Sequence, residues 1–359
     1  MKFRDFIDVR DGTHDSPKSV SGIGYPLVTT KHLGNGFIDL SNTNNISEED
    51  YIAINKRSKV DQFDILISMI GTVGSVYQER QSQPGYAIKN VGLLKFNGDE
   101  TLSNYVYYWL KSSNGQNEIK VRLKGTTQQF LSLTELRNLT LELPSREEMN
   151  LAVKPLMTLD QKMYSLGSIN DNLLELALTE YRQKVETTAT TQMKLGDIAK
   201  VSAGGDKPKL VSNLASDEMR VPIYSNGITN EGLYGFTDTP KIFDKAVTVS
   251  ARGTIGYLAI REEPYYPIVR LISVIPTLGK FTIHQLYLAL TDTNIQGFGT
   301  TQQQLTVPVF KSTMLPILPE ETRTEIEELI SPMFDMIAHN KHEIVTLSET
   351  RDSLLKKLI

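Results

Sequence analysis

Two histidines, His339 and His342, with Glu343 beside the second, come nearest to a metal-binding pattern in this 359-residue chain. On a helix that spacing places both imidazoles on one face. Lys341 and the charged neighbours suit a solvated face better, so no metal is expected there. Glu118-Ile119-Lys120, with Asp99 upstream, imitates part of the Asp…Glu-x-Lys arrangement of nucleases, but its surroundings read as helix where such a site needs strand. An amino-group methyltransferase would carry an (Asp/Asn/Ser)-Pro-Pro-aromatic motif, and no two of the fifteen prolines are adjacent. The Gly-x-Gly triplets at Gly22–Gly24, Gly34–Gly36 and Gly297–Gly299 do not link an apolar strand to a helix, and read as turns. No Gly-x-x-x-x-Gly-Lys-Ser/Thr phosphate loop occurs, no serine has a His/Asp setting, and there is no cysteine for a disulfide or a thiolate site. The chain is therefore expected to be non-catalytic, without metal or cofactor.

Composition is that of an ordinary globular protein, 40% hydrophobic and 22% charged, long enough for two domains. The net charge of −4 is unevenly spread: residues 1–145 carry 0, 146–193 carry −2, 194–318 carry +2 and 319–359 carry −4. The acid excess sits on two segments that read as helices, leaving two parts neutral to slightly basic. That balance permits a local basic groove without demonstrating one. The start Met1-Lys2-Phe3-Arg4-Asp5-Phe6 has charges where a signal peptide needs an apolar core, and no apolar run approaches the ~18 residues of a membrane span. A cytoplasmic protein with no membrane contact is expected.

The elements that would position any site are written twice. Gly71-Thr72-Val73-Gly74 recurs as Gly253-Thr254-Ile255-Gly256. Gly125-Thr126-Thr127-Gln128-Gln129 recurs as Gly299-Thr300-Thr301-Gln302-Gln303, and Leu143-Pro144 as Leu318-Pro319. Asn104–Leu110 faces His284–Leu290, and Lys2–Ile7 faces Lys194–Ala199. These landmarks keep their order while the residues between them differ, so a scaffold repeats and its loops do not. Each half reads as short strands (Ile65–Ile70, Ala246–Ser250), a helix (about Ser103–Leu123, Thr282–Asp292), and a last short strand (Leu139–Leu143, Met314–Leu318) before the Leu-Pro boundary.

Beyond that boundary the period changes. Ser145-Arg146-Glu147-Glu148 is a capping-box pattern. Leu156, Leu159, Met163, Leu166, Asn170, Leu173 and Ala177 then follow heptad spacing. Ile330, Met333, Ile337, Asn340, Ile344, Leu347, Arg351, Leu354 and Leu358 do the same. A polar residue inside such a seam fixes register. Pro155 and Pro332 are expected to separate a short lead-in helix from each long one. The architecture predicted is α+β: two similar α/β domains (1–144 and 191–318), each followed by a helical spacer (145–190 and 319–359), the two helices packed as an antiparallel coiled coil.

The duplicated set of motifs, with the closing Leu347–Ile359 helix, resembles the specificity (S) subunit of type I restriction-modification systems over essentially the whole chain. The resemblance implies that each domain is a target-recognition domain reading one half of a bipartite double-stranded DNA sequence. It also implies that the helices set the gap and dock two adenine-methyltransferase (M) subunits, which restriction (R) subunits can join. Base readers should be hydrogen-bonding side chains on irregular loops. In the first half Thr29, Thr30, Lys31, His32 and Asn35 are favoured; in the second, Ser225, Asn226, Thr229, Asn230 and Arg252. The repeated glutamines and Gly-Thr-x-Gly steps, common to halves that should read different bases, are assigned to structure or phosphate contact. The competing reading is a non-catalytic protein-binding scaffold, such as an anti-restriction or adaptor protein.

Overall fold

The computed structural model describes residues 1–34, 36–126, 128–277, 279–293, 295 and 304–359. In chain order the first half forms β1 (Asp8–Asp11), β2 (Tyr25–Val28), β3 (Asn44–Ile46), α1 (Glu48–Ser58), β4 (Ile65–Ser68) and β5 (Val76–Gln78). It continues with β6 (Ala87–Ile88), β7 (Val91–Lys95), α2 (Glu100–Lys111), α3 (Ser113–Lys120) and α4 (Leu133–Arg137). The long helix α5 (Arg146–Thr187) follows. The second half forms β8 (Thr191–Lys194), α6 (Leu195–Ile198), β9 (Ala199–Ala203), β10 (Val221–Tyr224), β11 (Leu233–Thr237), β12 (Ala246–Ser250) and β13 (Leu258–Arg261). After these come β14 (Tyr266–Pro267), β15 (Leu271–Pro276), α7 (Ile283–Thr291), α8 (Val307–Lys311), β16 (Met314–Ile317) and a second long helix, α9 (Glu320–Leu358).

The repetition read in the sequence is a repetition of topology. The larger sheets run β1-β7-β4-β5 and β9-β15-β12-β13, antiparallel throughout. The smaller sheets run β3-β2-β6 and β11-β10-β14, each antiparallel on one side of its central strand and parallel on the other. Every residue of β4 and β12 is buried, which accounts for their unbroken apolar run where a half-exposed strand would alternate. Asp99 caps α2 by accepting the Leu102 amide at 3.1 Å, and Thr282 caps α7 by accepting that of Gln285 at 3.2 Å.

Three sequence expectations are modified. The helix expected over Ser103–Leu123 is broken at Ser112, which takes an extended conformation and caps α3 through the Gly115 amide. A Cβ on Gly115 would lie 2.1 Å from the Trp109 carbonyl, so only glycine lets the second helix turn back so closely. The strand expected at Leu139–Leu143 is reduced to a Lys2–Thr140 bridge, whereas its counterpart Met314–Ile317 pairs with β8. Finally, Pro155 and Pro332 lie inside continuous helices. Each removes one N–H, but the carbonyls set free, at Leu151 and Glu328, belong to exposed residues that water can serve.

The chain divides into two compact units, Met1–Tyr164 with Val345–Ile359, and Ser165–Ile344. It passes from one to the other twice, each time within a long helix. In the first unit Met149, Val153 and Leu156 of α5 and Leu355 of α9 enter the core with Val106 and Leu110. Asp160 of α5 accepts from Tyr108 Oη at 2.7 Å and Arg351 of α9 at 2.9 Å. In the second unit Ala177 and Tyr181 of α5 share a core with Ile326, Ile330, Phe334 and Ile337 of α9. There the two helices run antiparallel: Lys184 meets Glu325 at 3.0 Å and Asn170 meets Asn340 at 2.8 Å. The asparagines expected to fix register meet each other, Asn340 Nδ2 donating to Asn170 Oδ1 across the seam.

Candidate nucleic-acid interface

Each larger sheet presents one hairpin turn of the same build. Beyond Ser68 and Ser250 the chain enters the Gly-Thr-x-Gly steps. Gly71 and Gly253 both have φ 77°, and Gly74 and Gly256 have φ 90° and 86°. The turns close through the same bond: the Gly74 amide to the Ser68 carbonyl, and the Gly256 amide to the Ser250 carbonyl, both at 3.0 Å. Residues with a Cβ are strained at these angles, so the motif repeats because the backbone repeats. Beside the turns, the Leu131 amide bonds Met69 and the Leu305 amide bonds Ala251, again in register. Gln128 and Gln129 are exposed on the loop bridged to Ile70 through Phe130. Gln302 and Gln303 lie outside the described residues.

The loops against these turns are built by different means. In the first unit, β2 runs into Thr29, whose amide donates to His32 Nδ1 at 2.9 Å. His32 is only 4% exposed, so of the residues expected to read bases it is instead the staple that shapes the loop. A polar type in a loop does not disclose which way it points. Thr29 and Thr30 are half-buried, Lys31 is exposed, and Asn35 lies outside the described residues. The Gly36 amide bonds the Val76 carbonyl at 3.0 Å, bringing this loop onto the start of β5.

Burial, reinforced by the charge of Lys31, lowers the His32 pKa. Nδ1 accepts the Thr29 amide only in the neutral imidazole, so this staple is intact above the ordinary histidine value. It is lost as pH falls through the depressed folded value. Protection of the amides of Thr29–Leu33 against exchange, relative to the intrinsic rate at each pH, is expected to fall as pH drops through that depressed value. His32→Gln should remove that pH dependence, and an unchanged profile would show the staple to be unimportant.

In the second unit, the Ser225 amide bonds the Gly232 carbonyl at 2.8 Å and closes a loop that carries Asn226, Thr229 and Asn230. Asn226 Nδ2 donates to the Arg252 carbonyl at 2.8 Å, while the Asn226 carbonyl accepts from Ser250 Oγ at 3.1 Å. Asn226 thus fastens the loop to the Gly253 turn. The Arg252 guanidinium makes no hydrogen bond or ion pair among the described residues. Thr229 and Asn230 are exposed at the tip. Asn230 (φ 48°, ψ 41°) and Glu231 (φ 53°, ψ 29°) are consecutive left-handed residues. Asn visits that region readily, while Glu does so at a cost of about 1–2 kcal/mol. Glu231 pairs with Arg261 and Lys341, neither of them among the residues favoured as base readers. An arginine ending the apolar run Leu258-Ala259-Ile260 was the available signal.

The chemistry-bearing patterns stay apart from any such site. Asp99 pairs with Arg146, while Glu118 is taken up by Thr140 and Arg122. His339 and His342 are exposed, and among the described residues no His/Cys/Asp/Glu group is arranged to hold a metal. No helix is long and apolar enough to cross a membrane.

The family model described as the type I restriction modification DNA specificity domain matches twice, over residues 1–174 and 189–349. A protein of Mycoplasma pneumoniae named as a type I specificity subunit, S.MpnORF507P, is 35% identical over 159 residues. The match covers 44% of this chain, and the chain spans 44% of that relative's length. The MjaIX specificity subunit of Methanocaldococcus jannaschii is 21% identical over 298 residues, 73% of this chain and 69% of that one. The crystal structure of a type I system S subunit from M. genitalium superposes with a TM-score of 0.54 at 17% identity. It covers 100% of this chain and 95% of the other, a likeness of fold.

Proposed function

The chain belongs to the type I restriction-modification DNA specificity family, and on that footing we propose that it is the subunit choosing the DNA sequence on which partner enzymes act. Each unit reads one half of a bipartite double-stranded target. The reading edge is the loop after the central strand of the small sheet, seated on the Gly-Thr-x-Gly hairpin. The observation that carries this is the contrast within the repeat: two pairs of sheets with the same strand order support loops that share neither sequence nor fastening. A scaffold for one protein partner would have no use for that difference, whereas two unlike DNA half-sites require it.

In the first half, Thr29, Thr30, Lys31 and Asn35 are the proposed contacts; in the second, Thr229, Asn230 and Arg252, with Ser225 and Asn226 shaping the loop. The acidic long helices dock two adenine-methyltransferase subunits, whose own cofactor and base-flipping pocket perform the transfer. Restriction subunits join that complex. Strong phosphate attraction comes from those partners as much as from the neutral to slightly basic domains of this chain.

The test is modularity. Lys31→Ala and Arg252→Ala should each change base preference in one half-site, a different one for each, by about 1–3 kcal/mol of discrimination. Sequencing of the duplexes retained from a random library by each full-length variant, assembled with its methyltransferase partner, would show it. Equal weakening of all sequences by both variants would make these residues phosphate contacts. No sequence preference in the unaltered protein would end the DNA-reading proposal.

A further inference from the structure

We infer that Arg261 and Lys341 are positioning residues for the loop of the second unit, holding Ser225–Gly232 in one conformation and so setting which bases that half admits. The inference rests on the reading proposed above. Arg261 ends β13 and is 4% exposed, unusual for an arginine on a short strand. Its guanidinium lies 3.6 Å from the centroid of Tyr224, the residue that leads into the loop. Its Nε donates to Thr248 Oγ1 at 3.1 Å, which fixes the plane of the group on β12. Its two terminal nitrogens reach the far end of the loop, one to the Glu231 backbone carbonyl and the other to Glu231 Oε2 at 3.3 Å. One buried planar group therefore grips both ends of the loop, a geometry the point charge of lysine cannot reproduce.

Lys341 completes the hold from α9, pairing through Nζ with the other Glu231 carboxylate oxygen. Glu231 is the residue that needs holding, because it sits in left-handed backbone beside Asn230. The Glu231–Lys341 pair lines a cavity of about 530 Å³, with Tyr257, Ile260, Tyr287 and Phe334. Once released, Glu231 has room to relax and carry Thr229 and Asn230 with it. The first unit is built differently: counting from the paired Gly-Thr-x-Gly steps, Glu79 stands at the position of Arg261, and its carboxylate accepts from Tyr86 Oη. The second loop is thus set partly by α9, while the first is set by its own His32.

The experiment uses the full chain carrying Arg261→Lys, and separately Lys341→Met. The second is a change at an exposed side chain that removes the pair without threatening the core. Hydrogen exchange should quicken across Ser225–Gly232 in both variants, more in Arg261→Lys, and stay unchanged across Thr29–Leu33. In selection from random duplex DNA, base preference should fall about tenfold in one half-site, the same one for both variants, and persist in the other. Unaltered exchange in both variants would overturn the inference whatever the DNA result. Faster exchange with both half-sites intact would also overturn it, since the loop would not then be the reader. An unaltered protein that enriches no sequence would instead refute the DNA-reading proposal, a failure the exchange measurement keeps separate from this one.

Discussion

Replacing Lys95 by Met should destabilise the first unit by about 3–5 kcal/mol, because it strands a carboxylate that has no access to water. Asp64 is fully buried at the start of the sheet core. Its Oδ2 accepts from Lys95 Nζ at 2.7 Å and from the Asp61 amide at 2.8 Å, while Oδ1 takes the Phe96 amide at 3.1 Å. Lys95 spends its other two protons on the Lys59 carbonyl at 2.9 Å and Asp61 at 2.8 Å. Met fills much of the same volume but leaves Asp64 with two amides and no counter-charge. For a unit of this size the loss corresponds to a fall of roughly 6–20 °C in its melting temperature.

The pH dependence supplies a second reading of the same variant. Burial already pushes the Asp64 carboxyl above the usual carboxylate range, against the opposing pull of Lys95. Without Lys95 it rises further, so between the unfolded and folded pKa values the folded state holds a proton that the unfolded state lacks. Stability of the variant relative to the parent then increases as pH falls through that window. Asp64→Asn with Lys95→Met should recover part of the loss at neutral pH. Parental melting of Lys95→Met would show that the pair contributes no stability.

The second large effect concerns target geometry. Four residues added to each long helix, after Tyr164 and after Ile344, should lengthen the non-specific gap between half-sites by one or two base pairs and leave both half-site sequences intact. Four helical residues add about 6 Å and about 40° of rotation. One base pair advances ~3.4 Å and turns about 35°, so rise and rotation change together in the same sense. The position matters. An insertion after Ala177, reasonable from the heptad pattern alone, would fall between Ala177 and Tyr181, both buried in the second unit's core. It would unfold that core rather than lengthen a spacer. Methylation mapping in cells carrying the variant with its partner enzymes gives the readout, and an unchanged gap would remove the helices from any role in spacing.

The sequence disclosed whatever depends on period and backbone. Gly71, Gly74, Gly253 and Gly256 are legible because positive φ demands glycine, and the heptad seam is legible because burial on a helix recurs. Asn170 and Asn340 are legible as the polar places in that seam, but their pairing with each other is seen only in the structure. The helix break at Ser112 escaped because Ser-Ser-Asn inside an amphipathic run satisfies both a helix interior and a cap, and the local bond of Ser112 Oγ to the Trp109 carbonyl favours the cap. His32 escaped for a related reason. Thr-Thr-Lys-His reads as a hydrogen-bonding surface, and only the fold turns the imidazole inward. Arg261 and Glu231 are thirty residues apart in sequence, and no local pattern joins them.

The matched strand order of the two halves also bears on how such a gene changes. Frames that agree down to the bond closing each glycine turn are interchangeable parts. A genetic exchange with breakpoints in the repeated segments would replace one reading loop together with its own fastening, His32 on one side or Tyr224 and Arg261 on the other. On the reading proposed above, such an exchange would deliver a new target in a single event, whereas point mutation would have to rebuild loop and staple separately. The exception is Glu231, whose partner Lys341 is encoded beyond the Leu318-Pro319 boundary in α9. A second-half loop moved without that helix would arrive with one of its two holds missing.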